Sequence, residues 1–545
     1  MTARASIFNH YCISGLFLAA LLSYFAWTFN HDLWNPDETR EAGIVWEMVA
    51  SGNLTVPHLN GKPFLEKPPL YYWTAFALAK LAGRLSPGLV RLPAVLYGLL
   101  GVIVTALLGR RLFGLRAGLL AGIVLAVLPE YYTTAHFALT DLPLAAFVCL
   151  AFSGFLELSR ATARASRLAF LFLFCIAAAL SFLAKGLVGP AVIGVPLFLY
   201  LPWERRSREI LLLGLWGGAV LALAAGPWLY AVWQQGGAEL LRVLLIENQF
   251  GRFAHAALGH QHWFGYYLYI FPFVFLPWTL LLLPAAVSGG ARLRRENPDR
   301  SAWRFLFCWL LGDLLSLSLS SGKREIYLLP LFAPAALMIG RWLEEVLEKS
   351  PAPGWQRGCL SALALIARPA PLLLALAGMV LFPYRLWPHL ITLALAAAAI
   401  VGGRTIGKRR DYGAMPLFAA LVSVYLIVAS SRLLAGFLNH ERSFKPFLEM
   451  VRAQVPAGAN LCGLHLSEMQ EGAAVFYLQR TFPNPQSVAE LERLRQGRPS
   501  PPLYVLVVDK DVARYHEYLR RLRLVASYEQ GDRGQHRYFL FAGEG

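Results

Sequence analysis

The sequence predicts an all-α polytopic membrane domain of about thirteen helices, residues 1–435, followed by a small extracytoplasmic α/β domain, residues 436–545. Three observations predict it. The 545-residue chain is 57% hydrophobic and only 15% charged, whereas soluble domains carry roughly 25% charged residues. Its apolar residues gather into runs near the length of about 17 to 25 residues that crosses a bilayer. Its basic residues gather in every second connection between those runs.

The runs fall at 11–29, 91–109, 117–132, 141–158, 168–184, 187–201, 210–233, 264–288, 303–320, 326–342, 360–382, 386–402 and 413–434. The first lacks an A-x-A-like exit and reads as a retained anchor, not a cleaved signal peptide. With Arg4 in the cytoplasm, the inner loops collect Arg110, Arg111 and Arg116, then Arg160, Arg164 and Arg167, then Arg205, Arg206 and Arg208. Later inner loops hold Arg292, Arg294 and Arg295, then Arg341 and Lys349, then Arg404, Lys408, Arg409 and Arg410. A miscounted helix would throw the later clusters onto the other side. Thirteen spans and an outward C-terminus therefore support each other.

The same distribution argues against a nucleic-acid partner, because the net charge of +17 lies in short loops and not on one face. Six scattered cysteines without C-x-x-C spacing indicate neither a disulfide framework nor a zinc site.

The remaining loops face outward and differ in character. Residues 30–80 hold Asp32, Asp37, Glu38, Glu41, Glu47, Glu66 and Lys67, with an amphipathic stretch from Glu38 to Val49 that reads as an interfacial helix. Residues 234–263 hold Glu247, Arg252, His255, His260 and His262, and residues 320–325 are short and charged. Loops this long in a compact chain are usually functional or disordered. After about residue 436, segments at Val451 to Gly463 and Pro502 to Asp509 hold short buried strands, and Val488 to Arg495 and Val512 to Arg523 read as amphipathic helices. This last part has no P-loop and no G-x-G-x-x-G.

Asp37 and Glu38 follow Pro36 just past the first membrane exit. An aspartate there serves readily as a helix cap. Its company favours chemistry: several other charged residues stand on the same outward side. Lys67 before Pro68 and Pro69, Lys185 at an outer helix end and Lys323-Arg324 in the third loop run against the topological trend, and anion binding is the simplest reason for each. Asp141 opens a span, where it caps the helix or binds a sugar hydroxyl or cation. Asp313, inside a span whose inner end holds Arg304, reads as structural. The histidines include a His-x-His pair that could chelate a metal with Glu66 supplying oxygen, and they are at least equally ordinary residues of an interfacial loop.

With these residues in view, the chain resembles the lipid A aminoarabinose transferases and their wider group. That group comprises the polyprenyl-phosphate-sugar glycosyltransferases of GT-C fold, protein O-mannosyltransferases included. The resemblance rests on Leu33-Trp-Asn-Pro-Asp-Glu-Thr-Arg40, Val56-Pro-His-Leu59, Glu66-Lys-Pro68, Leu183-Ala-Lys-Gly186, Arg252-Phe253, Tyr266-Tyr267, Leu276-Pro-Trp278 and Gly322-Lys323 with Tyr327-Leu-Leu-Pro330. It implies a GT-C membrane domain with Asp37 as catalytic carboxylate, and Asp141 is the second residue expected to be catalytic. It also implies that Lys67, Arg252 and Tyr327 clasp a lipid phosphate, and that Glu66 is a metal-associated acid, with His260 a second candidate ligand of a divalent cation. Glu38, Arg40, Lys185 and Lys323 complete the expected substrate-binding set. Two departures stand out: Glu247-Asn248 replaces a Glu-His pair, and Lys323-Arg-Glu-Ile-Tyr327 differs between its ends.

The implied donor is a sugar on polyprenyl (undecaprenyl) phosphate in the outer leaflet. The implied acceptor is lipid A, another glycolipid, or a different outer-face acceptor, reached in one inverting displacement at the bacterial inner membrane among its lipids. A protein or glycan O-glycosyltransferase of the same fold is the nearest alternative. A transporter or flippase is the alternative from another class, but it would place ionisable residues near the bilayer midplane and often shows repeated halves, and this chain shows charges at outer helix ends and no repeat.

Overall fold

A computed structural model describes residues 3–34, 36–251, 261–294, 296–349, 354–381, 386–456, 458–496, 503–531 and 536–543. Among the described residues, eight helices are long and apolar enough to cross a membrane, or up to ten if each of two bent pairs is one span. One bent pair is Leu115–Ala126 with Pro129–Ala135, turned by 67°. The other is Tyr266–Val274 with Thr279–Leu293, turned by 112°. Proline explains the first break, because it removes a backbone donor and clashes with the preceding turn. The other three predicted runs are also helices: α1 (Ala3–Ser23), Val188–Trp203 and Arg300–Ser318. The apolar stretches Tyr11–Ser23 and Val188–Trp203 are shorter, and the third helix carries charges such as Arg304 and Asp313.

Without a strong hydrophobic drive between helices in lipid, close packing of small residues brings them together. Helix Pro87–Phe113 meets Leu115–Ala126 in this way. A Cβ on Gly109 would lie 2.6 Å from the Cα of Gly118, so the two backbones touch. Within helix Arg300–Ser318, Asp313 is fully buried. Arg304 pairs with Glu204 at 2.9 Å, so it is not the partner expected for Asp313.

The long loop at residues 30–80 is ordered. It contains α2 (Asp37–Ser51), a small hairpin of β1 (His58–Leu59) and β2 (Lys62–Pro63), and α3 (Leu70–Ala82). The amphipathic stretch predicted there is thus a helix, and it is packed between neighbours. Its buried residues include Ala42, Gly43, Ile44 and Val45, and it lies against helix Glu468–Leu478 from the C-terminal part.

That C-terminal part contains a four-stranded sheet of β3 (Asn460–Gly463), β4 (Leu503–Val508), β5 (Arg523–Gln530) and β6 (His536–Ala542), in the order β3-β4-β6-β5. β3 and β4 are parallel and the other pairs antiparallel. The first predicted strand segment, Val451 to Gly463, holds its short strand at the end as β3, and its start, Val451 to Gln454, closes helix Lys445–Gln454. Of the predicted helix 512–523, Arg523 already begins β5, and the remainder is split between two short helices.

The sheet is tied to the first outer loop. Gly43 of α2 and Gly472 meet backbone to backbone, with a Cβ on Gly43 falling 2.6 Å from the Gly472 Cα. Asp32 pairs with Lys445 at 3.2 Å, and Asn60 donates to Glu471 at 3.0 Å and accepts from the Phe482 amide at 2.9 Å. These contacts fix the direction in which α2 presents its first turn.

Candidate active site

Helical spacing builds the first layer of the site. Asp37, Arg40 and Glu41 stand at i, i+3 and i+4 and so share one face of α2. Pro36 occupies the cap position, so Asp37 is the first residue of the helix and not its cap. Its Oδ2 accepts from Arg324 Nη2 at 3.0 Å and its Oδ1 from Arg40 Nη2 at 3.3 Å. Arg324 comes from the third outer loop, just before the one-turn helix Glu325–Leu328. Burial pushes the Asp37 carboxyl up, but Arg324, Lys67 and Arg40 outweigh it and hold it below the usual carboxylate value. Asp37 is therefore an anion at neutral pH.

Glu41 forms the floor. It is fully buried, accepts from Lys67 Nζ at 2.6 Å and from the Tyr72 hydroxyl at 2.5 Å, and pairs with Arg40 at 3.3 Å. Burial again opposes ionisation, and Lys67 and Arg40 overcome it. Lys67 is fixed because Pro68 and Pro69 follow it and Pro69 caps α3, which carries Tyr72.

A third layer comes from two spans. Asp141 opens helix Asp141–Leu158, and Lys185 closes helix Arg164–Lys185. The Lys185 ammonium hydrogen-bonds Asp141 and sits 4.1 Å from the centre of the Tyr327 ring, a cation–π contact. Asp141 and Tyr327 also help hold the Arg324 guanidinium charged, against the effect of its burial. The Tyr267 hydroxyl meets the Arg324 backbone amide at 3.2 Å. Arg324 therefore stands between the two carboxylates, Asp37 and Asp141.

Of the predicted residues, the structure brings together Asp37, Arg40, Lys67, Asp141, Lys185 and Tyr327. Glu38, expected at the substrate, faces the other way. It is fully buried and joined to a fully buried Arg91 by contacts of 2.8 and 3.2 Å, and it also accepts from the amides of Trp34 and Ala138. Arg91 in turn caps the Thr28 and Asp32 carbonyls and presses on His31, which burial and the Arg91 charge push down to about 2. Glu38 thus ties the first outer loop to a span. Lys323, expected to bind an anion, donates to the carbonyls of His262, at 2.9 Å, and Ser320, and so pins its own loop.

Arg252, His255 and His260 lie outside the described residues. Glu66 lies close enough to Arg40 to favour its charged form. Glu247 approaches Arg242 at 3.7 Å, the Asn248 amide donates to the Leu65 carbonyl, and His262 stacks on Tyr266. Among the described residues no group of three or more His, Cys, Asp and Glu could hold a metal ion. The described part of the expected metal set therefore does not form a cradle.

Sequence reasoning named Glu41 only among the acids of its loop, overlooked Arg91, and carried Lys323 of the Lys323-Arg324 pair into the substrate-binding set where Arg324 is the residue facing the site. Glu41 had a signal, since it lies one helical turn after Asp37 on the same face. Arg91 had none, because its partner is 53 residues away.

Comparison with known proteins extends these observations. The dolichyl-phosphate-mannose-protein mannosyltransferase family matches residues 66–231. An undecaprenyl phosphate-alpha-4-amino-4-deoxy-L-arabinose arabinosyl transferase from Sodalis glossinidius is 31% identical over 443 residues, covering 76% of this chain and 75% of that protein. Its namesake in Pseudomonas aeruginosa is 32% identical over 425 residues, with 76% and 75% covered. The crystal structure of ArnT from Cupriavidus metallidurans bound to undecaprenyl phosphate superposes with a TM-score of 0.76 at 21% identity, over 97% of both chains. An archaeal oligosaccharyltransferase, AglB from Archaeoglobus fulgidus, superposes at 0.56 with 12% identity, over 97% of this chain and 74% of that one.

Proposed function

The chain belongs to the undecaprenyl phosphate-aminoarabinose arabinosyl transferase family, and from that premise we propose that it moves an amino sugar from undecaprenyl phosphate to lipid A or a related glycolipid. The reaction takes place at the outer face of the bacterial inner membrane. The observation that carries this reading is the ionised Asp37 carboxylate set against Arg324, Arg40 and Lys67 on an outer-loop helix.

In the proposed step the acceptor oxygen attacks the anomeric carbon, the bond from that carbon to the phosphate oxygen breaks, and undecaprenyl phosphate leaves, with inversion. Asp37 takes the proton of an acceptor hydroxyl, or orients an acceptor phosphate that is already ionised. General base help of this kind is worth about 10²–10⁴-fold. Lys67, Arg324, Lys185 and Arg252 neutralise the leaving phosphate, and the Tyr327 hydroxyl hydrogen-bonds to it. Their present partners are the carboxyl groups of Asp37, Glu41 and Asp141. The incoming phosphate therefore competes with carboxylates for the same cations, and the cations stay paired until donor arrives. A dolichyl- or undecaprenyl-linked donor also suits the absence of any nucleotide-binding motif in the sequence.

The topology that goes with this reading has thirteen crossings, a cytoplasmic N-terminus and an extracytoplasmic C-terminal domain at residues 436–545. An odd number of crossings puts the termini on opposite sides, and the basic loops support the assignment.

Mass spectrometry of lipid A and surface glycans from cells with and without the protein tests the proposal. An aminoarabinose-sized increment on lipid A that depends on the protein is expected. An increment found only on protein or on another glycan would move the function to the neighbouring branch, which the match to the mannosyltransferase family favours.

A further inference from the structure

A second polar cleft lies away from the Asp37 site, where the tip of the β1–β2 hairpin meets the edge of the C-terminal sheet. It has a volume of about 380 Å³ and is lined by Asn60, Gly61, Asn460, Arg480, Thr481 and their neighbours. Arg480 is its one charged lining residue. Its Nη1 donates to the Ala459 carbonyl at 3.3 Å, and no carboxylate lies in salt-bridge range among the described residues. Burial disfavours its charge, and an anion in the cleft would reverse that cost.

Two acids bond to residues at the hairpin tip. Glu47 Oε2 accepts from the Gly61 amide at 3.0 Å, and Glu471 Oε1 accepts from the side chains of Asn60 at 3.0 Å and Asn484 at 2.7 Å. The cleft thus presents the Arg480 guanidinium and the Thr481 hydroxyl, donors suited to phosphate oxygens, while the Asn60 amide stays bound to Glu471.

Its position relates it to the reaction. Glu47, which holds the hairpin tip, lies ten residues after Asp37 on α2, a separation of about 15 Å at 1.5 Å per residue. We propose that this cleft binds a second phosphate of the acceptor, held on Arg480 while the acceptor's reacting group is at Asp37. This rests on the function proposed above and adds a specificity site to it.

The test compares wild type, Arg480→Gln, Arg480→Lys and Thr481→Glu, all as full chains in detergent, with acceptors carrying one or two phosphates. Thr481 is exposed at the mouth, so its substitution places a repelling carboxylate there without disturbing the core. With the doubly phosphorylated acceptor, Arg480→Gln and Thr481→Glu should raise the acceptor KM about tenfold, the loss of one charge-assisted contact. Arg480→Lys should recover part of it. The donor KM and kcat should stay unchanged, and the singly phosphorylated acceptor should show no difference. Unchanged acceptor KM values in both Arg480→Gln and Thr481→Glu overturn the proposal.

A binding arm stands apart from the transfer assay. By titration calorimetry, wild type should take up one more equivalent of inorganic pyrophosphate than Arg480→Gln, whether or not any acceptor turns over. Equal stoichiometry overturns the site. Lost pyrophosphate binding with an unchanged acceptor KM overturns the acceptor role and leaves a site for free phosphate or bulk headgroups. If wild type modifies no phosphorylated acceptor while the pyrophosphate difference persists, the function proposed above has failed and the anion site has not.

Discussion

The Asp37 carboxylate and the Arg324 guanidinium meet at 3.0 Å although 287 residues separate them. The pair joins the first outer loop to the third, and it determines when Asp37 is charged. A carboxylate whose pKa is lowered in the folded protein is ionised above that value and loses its charge only as the pH falls through it. Activity carried by Asp37 should therefore be flat through the neutral range, down to about pH 5. Arg324→Gln removes the largest of the lowering charges and leaves the opposing effect of burial. Its acid limb in kcat/KM against pH should move up towards neutrality. Superimposable acid limbs would show that Arg324 does not control Asp37.

Glu38 and Arg91 are both fully buried and paired. Removing one partner of a buried pair leaves an uncompensated charge, which costs about 3–5 kcal/mol. Glu38→Ala should lower the thermal midpoint and the yield of folded protein strongly. An unchanged midpoint would return Glu38 to the substrate-binding role that its sequence neighbourhood suggests.

Lys185 lies between Asp141 and the Tyr327 ring. If it stabilises the leaving phosphate, Lys185→Gln should cut kcat by about 10²–10³-fold, as loss of one preorganised donor does. The acceptor KM should change little. A kcat within a factor of two of wild type would confine the residue to a structural pair with Asp141.

The close approach of Gly43 and Gly472 predicts a steric effect. A methyl group on Gly43 would lie 2.6 Å from the Gly472 Cα and 2.9 Å from its carbonyl oxygen. Backbone on the far side cannot yield as a flexible side chain does, so Gly43→Ala should cost about 1–3 kcal/mol. Thermal unfolding would measure it, and a midpoint equal to wild type would mean that the C-terminal sheet does not brace α2.

How much of this was legible beforehand follows from the range of each signal. Apolar runs and alternating basic loops are local patterns, and they identified a polytopic helical chain. The helical stretch after Asp37 was legible for the same reason. β5 and β6 were missed because residues 523–542 mix charged and apolar residues, and their pairing decides their form. In the site, Asp37, Lys67, Asp141 and Lys185 stood out as charges at outer helix ends. The choice between Lys323 and Arg324 was not legible, because adjacent residues point to different sides and only the fold says which side is which. Glu38 misled for the same reason: it adjoins Asp37 in sequence and faces Arg91 in space.

The central claim is that Asp37 is the carboxylate of sugar transfer. Its most direct test is the rate at which purified Asp37→Asn moves aminoarabinose from undecaprenyl phosphate to lipid A, beside wild type of equal thermal stability. The account predicts a fall of about 10²–10⁴-fold in kcat, the usual worth of a general base, with the protein still folded. Turnover at the wild-type rate by folded Asp37→Asn would contradict it.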